Sequence, residues 1–468
     1  MIKGDELILH IDDAAFEGKS VARQDNFVVF VEGAVPGDEV RVVVYKVKKR
    51  YAEARVQEIL EPSPLRVSPR CRYFGVCGGC RWQHLDYTKQ CEYKRQNVVD
   101  AFERIGGFRG INVNPVIGAD PIYEYRNKME FSFGNQRWLT AEELNDPGIS
   151  GRGFALGFHI PQRYDKILDI HECHLQSQRT VEILNEIRSW CIKRSLTIYD
   201  TETDSGYLRF LVIREARQTG EVMVNLVTGK DSPETVRELT AMLIEKFPWI
   251  TTIINTINEK KAQIAFGEVQ KIYHGNGTIR ERLGRLTFTI SANSFFQTNT
   301  VQTERLYGIV KEFGEFRPED VVFDLYSGTG SIALFISDSV SRVIGIDNVP
   351  SAIEDAMMNA RNNNIEHCEF VLGDLKDRLT KDTHWMHDHS TPDVLVIDPP
   401  RSGMHPKVVD EVVRLGSRRI VYVSCNPTTQ ARDSKTIVEG GYRIDTVQPV
   451  DMFPHTYHIE NVVKLTKC

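Results

Sequence analysis

The sequence of 468 residues has no long hydrophobic run and few cysteines. Because no stretch reaches the ~20 apolar residues that span a bilayer, we expect no membrane partner. The first ten residues include Lys3, Asp5 and Glu6 and have no apolar h-region, so we expect no secretory signal. Nine cysteines are too few for a disulfide scaffold at this length, which predicts reduced thiols and a cytoplasmic protein. Ordinary hydrophobic (41%) and charged (26%) fractions exclude a fibrous or largely disordered chain.

The net charge of −6 is a chain average that argues weakly against a nucleic-acid partner. The charge is unevenly spread, however. Residues 1–40 carry three basic and nine acidic side chains, whereas residues 41–109 carry fifteen basic and seven acidic ones. A basic block between acidic stretches is typical of a phosphate-binding surface, although a solvated face has the same composition. Its basic and aromatic members fit RNA backbone and stacking contacts. They are Lys46, Lys48, Lys49, Arg50, Tyr51, Arg70, Arg72, Tyr73, Phe74, Arg81 and Trp82.

The length predicts about three domains. Residues 1–62 contain about five short strands, which predicts a small, closed, OB-like barrel, and a proline-rich linker follows. Residues 66–290 predict a central α+β domain, of which the segment 85–118 is expected to pack on the last domain. From 291 to 468 short buried strands alternate with helices, which predicts a Rossmann-like parallel sheet covered on both faces. The predicted fold class is therefore multidomain α/β.

A glycine-rich turn follows the first strand predicted in the C-terminal domain. The run Asp324-Leu-Tyr326-Ser-Gly328-Thr-Gly330 joins this strand to a helix, and Asp347 ends the next strand. Glycines let a ligand approach the backbone, and the acidic residue can accept hydrogen bonds from ribose hydroxyls. The spacing fits NAD or S-adenosylmethionine, so an NAD-dependent oxidoreductase is one alternative, and a turn that binds no ligand is another.

The run Asp398-Pro-Pro-Arg401 ends a later predicted strand, at the sheet edge where open α/β folds bind their ligands. Adenine-N6 methyltransferases have an aromatic residue at the fourth position, where this chain has Arg401. Cytosine-C5 methyltransferases have a cysteine beside proline in this loop, and this chain has none. The run and its position favour a methyl donor over NAD.

The next predicted strand ends in Ser424-Cys425-Asn-Pro, so a thiol would face the methyl donor. A lone cysteine at a strand end is usually a small hydrophobic residue. A thiolate that adds to C6 of uracil, however, makes C5 nucleophilic, which is covalent catalysis. We therefore expect the pKa of the Cys425 thiol to be lowered locally. A base must later remove the C5 proton, and Glu460 is the natural candidate. The alternatives for Glu460 are a structural carboxylate or, with His455 and His458, a metal ligand.

Three cysteines fall within ten residues, as Cys71-x5-Cys77-Gly-Gly-Cys80. With a fourth thiolate they would fit either zinc or an iron–sulfur cluster, and the spacing does not choose between the two. Cys91 is the nearest further cysteine in the sequence.

Five motifs occur in order along nearly the whole chain. Together they resemble those of the RNA uracil-C5 methyltransferases, in particular the ribosomal-RNA branch with a TRAM barrel and an iron–sulfur cluster. The motifs are Cys-x5-Cys-Gly-x-Cys, Asp-x-x-Ser-Gly-x-Gly, Asp-Pro-Pro-Arg, Ser-Cys-Asn-Pro and Asp-Met-Phe-Pro-His-Thr-x-His-x-Glu.

The resemblance implies S-adenosylmethionine as methyl donor, Cys425 as nucleophile and Glu460 as general base. It places Asp398 at the donor and the nucleophile loop. The other implied donor contacts are Gln297, Tyr326, Gly328, Asp347 and Asp374. Relatives often have Glu and Asn where this chain has Asp347 and Asp374.

The resemblance also implies a [4Fe–4S] cluster on Cys71, Cys77, Cys80 and Cys173, with zinc as the alternative occupant and Cys91 as the rival fourth ligand. We expect the cluster to hold an RNA-binding loop rather than to do redox chemistry. The implied partner is RNA, with a uridine of 23S ribosomal RNA as target and tRNA as the alternative. A non-catalytic RNA-binding module is disfavoured by the intact Cys425 and Glu460. We expect a monomer.

Overall fold

The computed structural model describes residues 1–144, 153–267, 269–380 and 391–468. The N-terminal region is a six-stranded sheet in the order β1-β5-β6-β4-β3-β2. Its strands are β1 (Glu6–His10), β2 (Asp13–Ala14), β3 (Ser20–Gln24), β4 (Phe27–Glu32), β5 (Glu39–Val47) and β6 (Tyr51–Glu61). Alternate side chains of these strands, such as Val40, Val42 and Val44, are buried in one core.

The closed barrel predicted for residues 1–62 is wrong. Within these residues, all of whose backbone is described, β1 and β2 form the two edges of the sheet and no strand pairing joins them. The extended segment breaks between His10 and Asp13, so that β1 pairs with β5 and β2 pairs with β3. Along these residues no ladder joins β1 to β2, and the sheet is open.

A helix and a second sheet follow. The helix α1 (Tyr87–Ala101) begins at Asp86, whose carboxylate accepts hydrogen bonds from the amides of Thr88 and Lys89, and it continues as a π-helical turn over Phe102–Gly106. The central sheet has eight strands in the order β14-β13-β12-β11-β7-β9-β10-β8. They are β7 (Lys128–Gly134), β8 (Arg137–Trp138), β9 (Ala155–Ile160), β10 (Arg163–Asp169), β11 (Leu208–Glu215), β12 (Val222–Thr228), β13 (Thr252–Ile257) and β14 (Val269–His274). The helices of this region are α2 (Ala141–Leu144), α3 (Gln178–Lys193) and α4 (Pro233–Lys246).

The C-terminal region begins with the hairpin β15 (Thr278–Leu283) and β16 (Leu286–Ser291). A seven-stranded sheet follows, in the order β19-β18-β17-β20-β21-β23-β22, in which β23 alone runs antiparallel to its neighbours β21 and β22. Its strands are β17 (Val321–Leu325), β18 (Arg342–Asp347), β19 (Cys368–Leu372), β20 (Val394–Ile397), β21 (Arg419–Ser424), β22 (Tyr442–Val450) and β23 (Glu460–Lys467). Its described helices are α5 (Thr300–Gly314), α6 (Ser331–Ile336), α7 (Pro350–Asn362), α8 (Leu375–Thr380), α9 (Pro406–Leu415) and α10 (Pro427–Glu439).

Helices cover both faces of this sheet, so its strands are hydrophobic on both sides. The hairpin contributes Leu286 and Phe288 to one of the two cores. Val98 and Phe102, at the end of α1 and in the π-helical turn, enter the other core. The segment after α1 therefore lies against the seven-stranded C-terminal sheet and not against the eight-stranded central sheet. Among the described helices, none is long and apolar enough to cross a bilayer.

Candidate active site

Three of the side chains predicted from the sequence meet at one edge of the seven-stranded C-terminal sheet, which we call the catalytic edge. Asp398 follows β20 and Cys425 follows β21, and these two strands are parallel neighbours. Glu460 begins the antiparallel strand β23, in which Asn461 pairs with Ser424. One residue beyond that pair, the register brings Glu460 beside Cys425. All three side chains line one cavity of about 1340 Å³.

The Cys425 thiol is flanked by two carboxyl groups and by Arg401. Burial raises its pKa to about 12, and the carboxylates of Glu460 and Asp398 act in the same direction, against the weaker opposing effect of Arg401. The prediction of a lowered thiol pKa is therefore wrong for the protein without substrate. The physical reason is that the sequence does not show burial. The partial burial of the thiol, and the two carboxyls beside it, both disfavour the thiolate. The free protein holds Cys425 as a neutral thiol.

The pKa values of the two neighbouring carboxyls are raised as well. Burial raises the pKa of Asp398 to about 6. Burial, followed by the nearby Asp398 carboxylate, raises the pKa of Glu460 well above its usual value, and Arg401 opposes this shift. Because the two acids disfavour each other's ionisation, the site carries less negative charge than its composition suggests. A buried acid of this kind is suited to proton transfer near neutral pH.

Arg401 is held over this edge by the loop that follows Cys425. Asn426, the N-cap of α10, donates its side-chain amide to the Arg401 carbonyl at 2.9 Å. The Arg401 guanidinium in turn donates from Nη2 to Nδ1 of His458 at 3.0 Å. The rings of Phe453 and Tyr457 pack against His458, at centroid distances of 6.2 and 4.2 Å. The loop between β22 and β23 thus delivers both His458 and Glu460 to the cavity.

The glycine-rich turn after β17 borders the same cavity. Tyr326 has a positive φ of 66°, which a side chain rarely adopts, and a Cβ added to Gly328 would meet no atom within 4 Å. The Gly328 amide donates to Oδ2 of Asp347 at 2.9 Å, which fixes the turn to the end of β18. Oδ1 of the buried Asp324 has no hydrogen-bond partner among the described residues. The open approach to the backbone at Gly328 fits a bound donor.

The remaining predicted donor contacts divide between two cavities. Gln297 is buried, lines the large cavity and is anchored by the side chain of Asn127, which donates to its carbonyl at 3.0 Å. Asp374 lines a second cavity of about 550 Å³, which shares Tyr326 and Asp347 with the first. The structure therefore brings Gln297, Tyr326 and Asp347 to the catalytic edge, and Asp374 to the adjoining space.

Four cysteines line the large cavity at its other end, namely Cys71, Cys77, Cys80 and Cys173. Burial is the main cause that raises the pKa of each, to about 12 for Cys77 and Cys80 and to about 11 for Cys173, and the thiols act on one another in the same direction. Cys91 is affected by Asp451 and Tyr87 instead, not by these thiols. Among the described residues, no group of three or more His, Cys, Asp or Glu side chains is arranged so that it could hold a metal ion.

Two long-range contacts around this cavity are not marked by any sequence pattern. Lys94 and Asp451 are both fully buried and form an ion pair at 2.6 Å. The amides of Arg81 and Trp82, directly after Cys80, donate to the His455 carbonyl at 2.8 and 3.0 Å. These pairs are more than 350 residues apart in the chain, and neither periodicity nor a local motif marks such partners.

Comparisons with known proteins agree with this arrangement. A family model described as tRNA (Uracil-5-)-methyltransferase matches residues 219–468, and a TRAM domain model matches residues 3–57. An uncharacterized RNA methyltransferase of Porphyromonas gingivalis is 43% identical over 98% of this chain and 99% of its own. One from Chlorobaculum tepidum is 43% identical over 98% of this chain and 96% of its own.

A solved structure is similar over the full length. It is the tRNA (uracil-54, C5)-methyltransferase of Pyrococcus abyssi in complex with S-adenosyl-L-homocysteine, with a TM-score of 0.76 and 31% sequence identity. The alignment covers 98% of this chain and 100% of that one.

Proposed function

The chain belongs to the family of tRNA (uracil-5-)-methyltransferases, and we propose that it methylates C5 of a uridine in RNA, with Cys425 as nucleophile and Glu460 as general base. The observation that carries this mechanism is the meeting of one thiol and two protonatable carboxyls in a cavity that also reaches the glycine-rich turn. An NAD-dependent oxidoreductase would leave the thiol and the carboxyl pair without a joint purpose.

The proposed reaction begins with a neutral thiol. As the Cys425 sulfur bonds to C6 of the flipped uracil, its proton passes to the Asp398 carboxylate, whose pKa is raised to about 6. The C5=C6 electron pair then moves onto C5 and the C4 carbonyl, so C5 becomes the nucleophile. Glu460, which has released its own proton to solvent, takes the C5 proton after methylation. The C6–S bond then breaks, the C5=C6 double bond returns, and the proton held by Asp398 goes back to the Cys425 sulfur.

S-adenosylmethionine, which supplies an electrophilic methyl group when bound, is the proposed donor. Its support is the similar structure with S-adenosyl-L-homocysteine and the fit of the glycine-rich turn. The residues that would hold it are Gln297, Tyr326, Gly328, Asp347, Asp374 and Asp398. Gln297 and Asp347 are themselves fixed by backbone and side-chain hydrogen bonds, so the donor would meet a pre-formed surface.

We further propose that Cys71, Cys77, Cys80 and Cys173 hold a [4Fe–4S] cluster. The support is the spacing of the first three and the mutual effect of all four thiols across about ninety residues of chain. Thiolates are ligands of both zinc and iron–sulfur clusters. The choice of the cluster over zinc rests on the resemblance to the ribosomal-RNA branch of the family.

Two RNA targets are open to this mechanism. We propose 23S ribosomal RNA, because the resemblance on which it rests combines a TRAM domain with four cluster cysteines. The similarity to the tRNA enzyme of P. abyssi over the whole chain supports tRNA as the second candidate. Mass mapping of ribosomal and transfer RNA from cells that lack the protein decides between them, because only the true target loses a 5-methyluridine.

The assignment of Glu460 is tested by the variant Glu460→Gln. Without a base the reaction stalls after methylation, so a covalent protein–RNA adduct should accumulate and turnover should fall by about 10²–10⁴-fold. The adduct is measured by denaturing gel electrophoresis with labelled RNA. Glu439→Gln, an exposed change of the same kind at the end of α10, is the matched control. Normal turnover by Glu460→Gln would show that another group is the base.

A further inference from the structure

His458 is a residue of the catalytic edge that the mechanism above does not use. It lies two residues before Glu460, on the loop that enters β23, and it lines the large cavity together with Cys425 and Arg401. The ring is held on several sides. Its backbone amide donates to Oγ1 of Thr456 at 3.2 Å, and Phe453 and Tyr457 pack against its faces and edge. A ring fixed in this way presents one orientation to a substrate.

The contact with Arg401 decides which ring nitrogen carries the proton. A guanidinium has only donors, so at 3.0 Å from Arg401 Nη2 the Nδ1 atom of His458 must be the acceptor. Burial lowers the pKa of His458 to about 4, and the positive charges of Arg401, Lys94 and Arg126 act in the same direction, so the ring is neutral. The single proton of a neutral ring with an accepting Nδ1 is on Nε2. Nε2–H has no hydrogen-bond partner among the described residues.

We propose that Nε2–H of His458 donates a hydrogen bond to the O4 carbonyl oxygen of the target uracil, stabilises the charge that develops there and selects uridine over cytidine. This inference rests on the function proposed above. When the Cys425 sulfur bonds to C6, the C5=C6 electron pair moves toward C4 and negative charge collects on O4. A donor already in place lowers the energy of that state, as an oxyanion hole does. No proton is transferred to or from His458.

The position of Glu460 distinguishes O4 from O2. Glu460 must reach the proton on C5, and C4 is the carbonyl carbon bonded to C5, whereas C2 lies across the ring. A donor two residues from Glu460 on the same loop is therefore on the O4 side. Cytosine has an amino group in place of O4, which is also a donor. Facing Nε2–H, it would leave two donors opposed in a dry site, which is costly.

The test compares wild type with His458→Phe, which keeps a packed ring and removes the donor. RNA fragments carry uridine, 4-thiouridine or 2-thiouridine at the target position, because sulfur accepts hydrogen bonds poorly. We expect His458→Phe to lower kcat/KM on uridine by about 10²-fold. The ratio between wild type and variant should shrink to a few-fold on 4-thiouridine and remain about 10² on 2-thiouridine. A merely structural role of His458 would give the same ratio on all three RNAs and would overturn the proposal.

A second measurement separates this donor from the base. RNA with 5-fluorouridine has no C5 proton to remove, so the covalent adduct persists, and its rate of formation reports thiol addition and methylation only. His458→Phe should form this adduct more slowly, Glu460→Gln at the wild-type rate, and His367→Phe, an exposed change away from the cavity, also at that rate. An unchanged rate in His458→Phe overturns the role of His458. Failure of the wild type to form any adduct would instead overturn the proposed function.

Discussion

The catalytic edge and the group of four cysteines both contain half-buried thiols, and burial raises the thiol pKa in both regions. The values are about 12 for Cys425 at the catalytic edge and about 12 for Cys77 and Cys80 in the group. The two regions differ in what surrounds the thiols. Two carboxyls raise the pKa of Cys425 further, and Arg401 lowers it. For Cys77 and Cys173, the influences beyond burial and backbone amides include the other cysteines.

This difference determines how each region can ionise. At the catalytic edge, Asp398 and Glu460 are protonatable acceptors, so a thiol proton can move a short way and return within one reaction cycle. In the cysteine group, the main influences on Cys77, Cys80 and Cys173 include the other thiols and, among the described residues, no carboxylate. Proton transfer therefore suits Cys425, and the cysteine group is the site proposed above for the cluster.

The largest expected effect is at the catalytic edge. Cys425→Ala should lower turnover by at least about 10⁴-fold, because no other group can bond to C6 of the base. Binding of S-adenosylhomocysteine, measured by calorimetry, should stay within about twofold. Cys468→Ala, an exposed cysteine at the end of β23, is the matched control. Substantial turnover by Cys425→Ala would remove the distinction between the two regions.

Substitutions in the cysteine group should change the metal content of the protein and should not remove the catalytic groups. The protein purified without oxygen should contain about four iron atoms and the visible absorbance of a cluster. Cys173→Ser should lose most of both, whereas Cys91→Ser, the change at the rival ligand, should keep them, because Cys91 lies beside Tyr87 and Asp451. A colourless wild-type protein that contains zinc would contradict the proposed cluster.

The buried pair Lys94–Asp451 joins α1 to the loop before β23 and should have the next largest effect, on stability. Lys94 also donates to the Phe453 carbonyl at 3.1 Å, so it holds the loop that carries His458 and Glu460. Lys94→Met leaves the Asp451 carboxylate buried without its cation, which should cost about 3–5 kcal/mol of unfolding free energy in urea denaturation.

The matched control for this pair is Lys311→Met. Lys311 and Asp338 form an ion pair at a similar distance, 2.7 Å, but both are exposed, so the loss should be at most about 1 kcal/mol. Equal losses in the two variants would mean that the loop that carries His458 and Glu460 does not depend on the buried pair.

Much of the catalytic edge could be predicted because its residues lie where strands end. The predicted strand before Cys425 ends where the observed strand ends, at Ser424, and this end fixes the position of Cys425. The pairing of Lys94 with Asp451 could not be predicted, since it joins distant parts of the chain. Nor could the raised pKa of Cys425, because the sequence gives residue types but not the burial that sets their charge. The closed barrel could not be judged from the sequence either, because strand patterns do not show that the chain breaks after His10 and that β1 and β2 pair with different strands.

The smallest effect concerns pH and isolates one member of the catalytic edge. The pKa of Asp398 is about 6 in the folded protein against an ordinary value of 3.8, so the folded state holds its proton over a range where the unfolded chain has lost it. A state that binds more protons loses stability as pH rises, and here the loss runs from about pH 4 until the pH has passed 6. Asp398→Asn cannot ionise. Its melting temperature relative to wild type should therefore rise between pH 5 and pH 8, by a few degrees at most. A constant difference would mean that Asp398 ionises as in the unfolded chain. The catalytic edge would then lack the proton acceptor that separates it from the cysteine group.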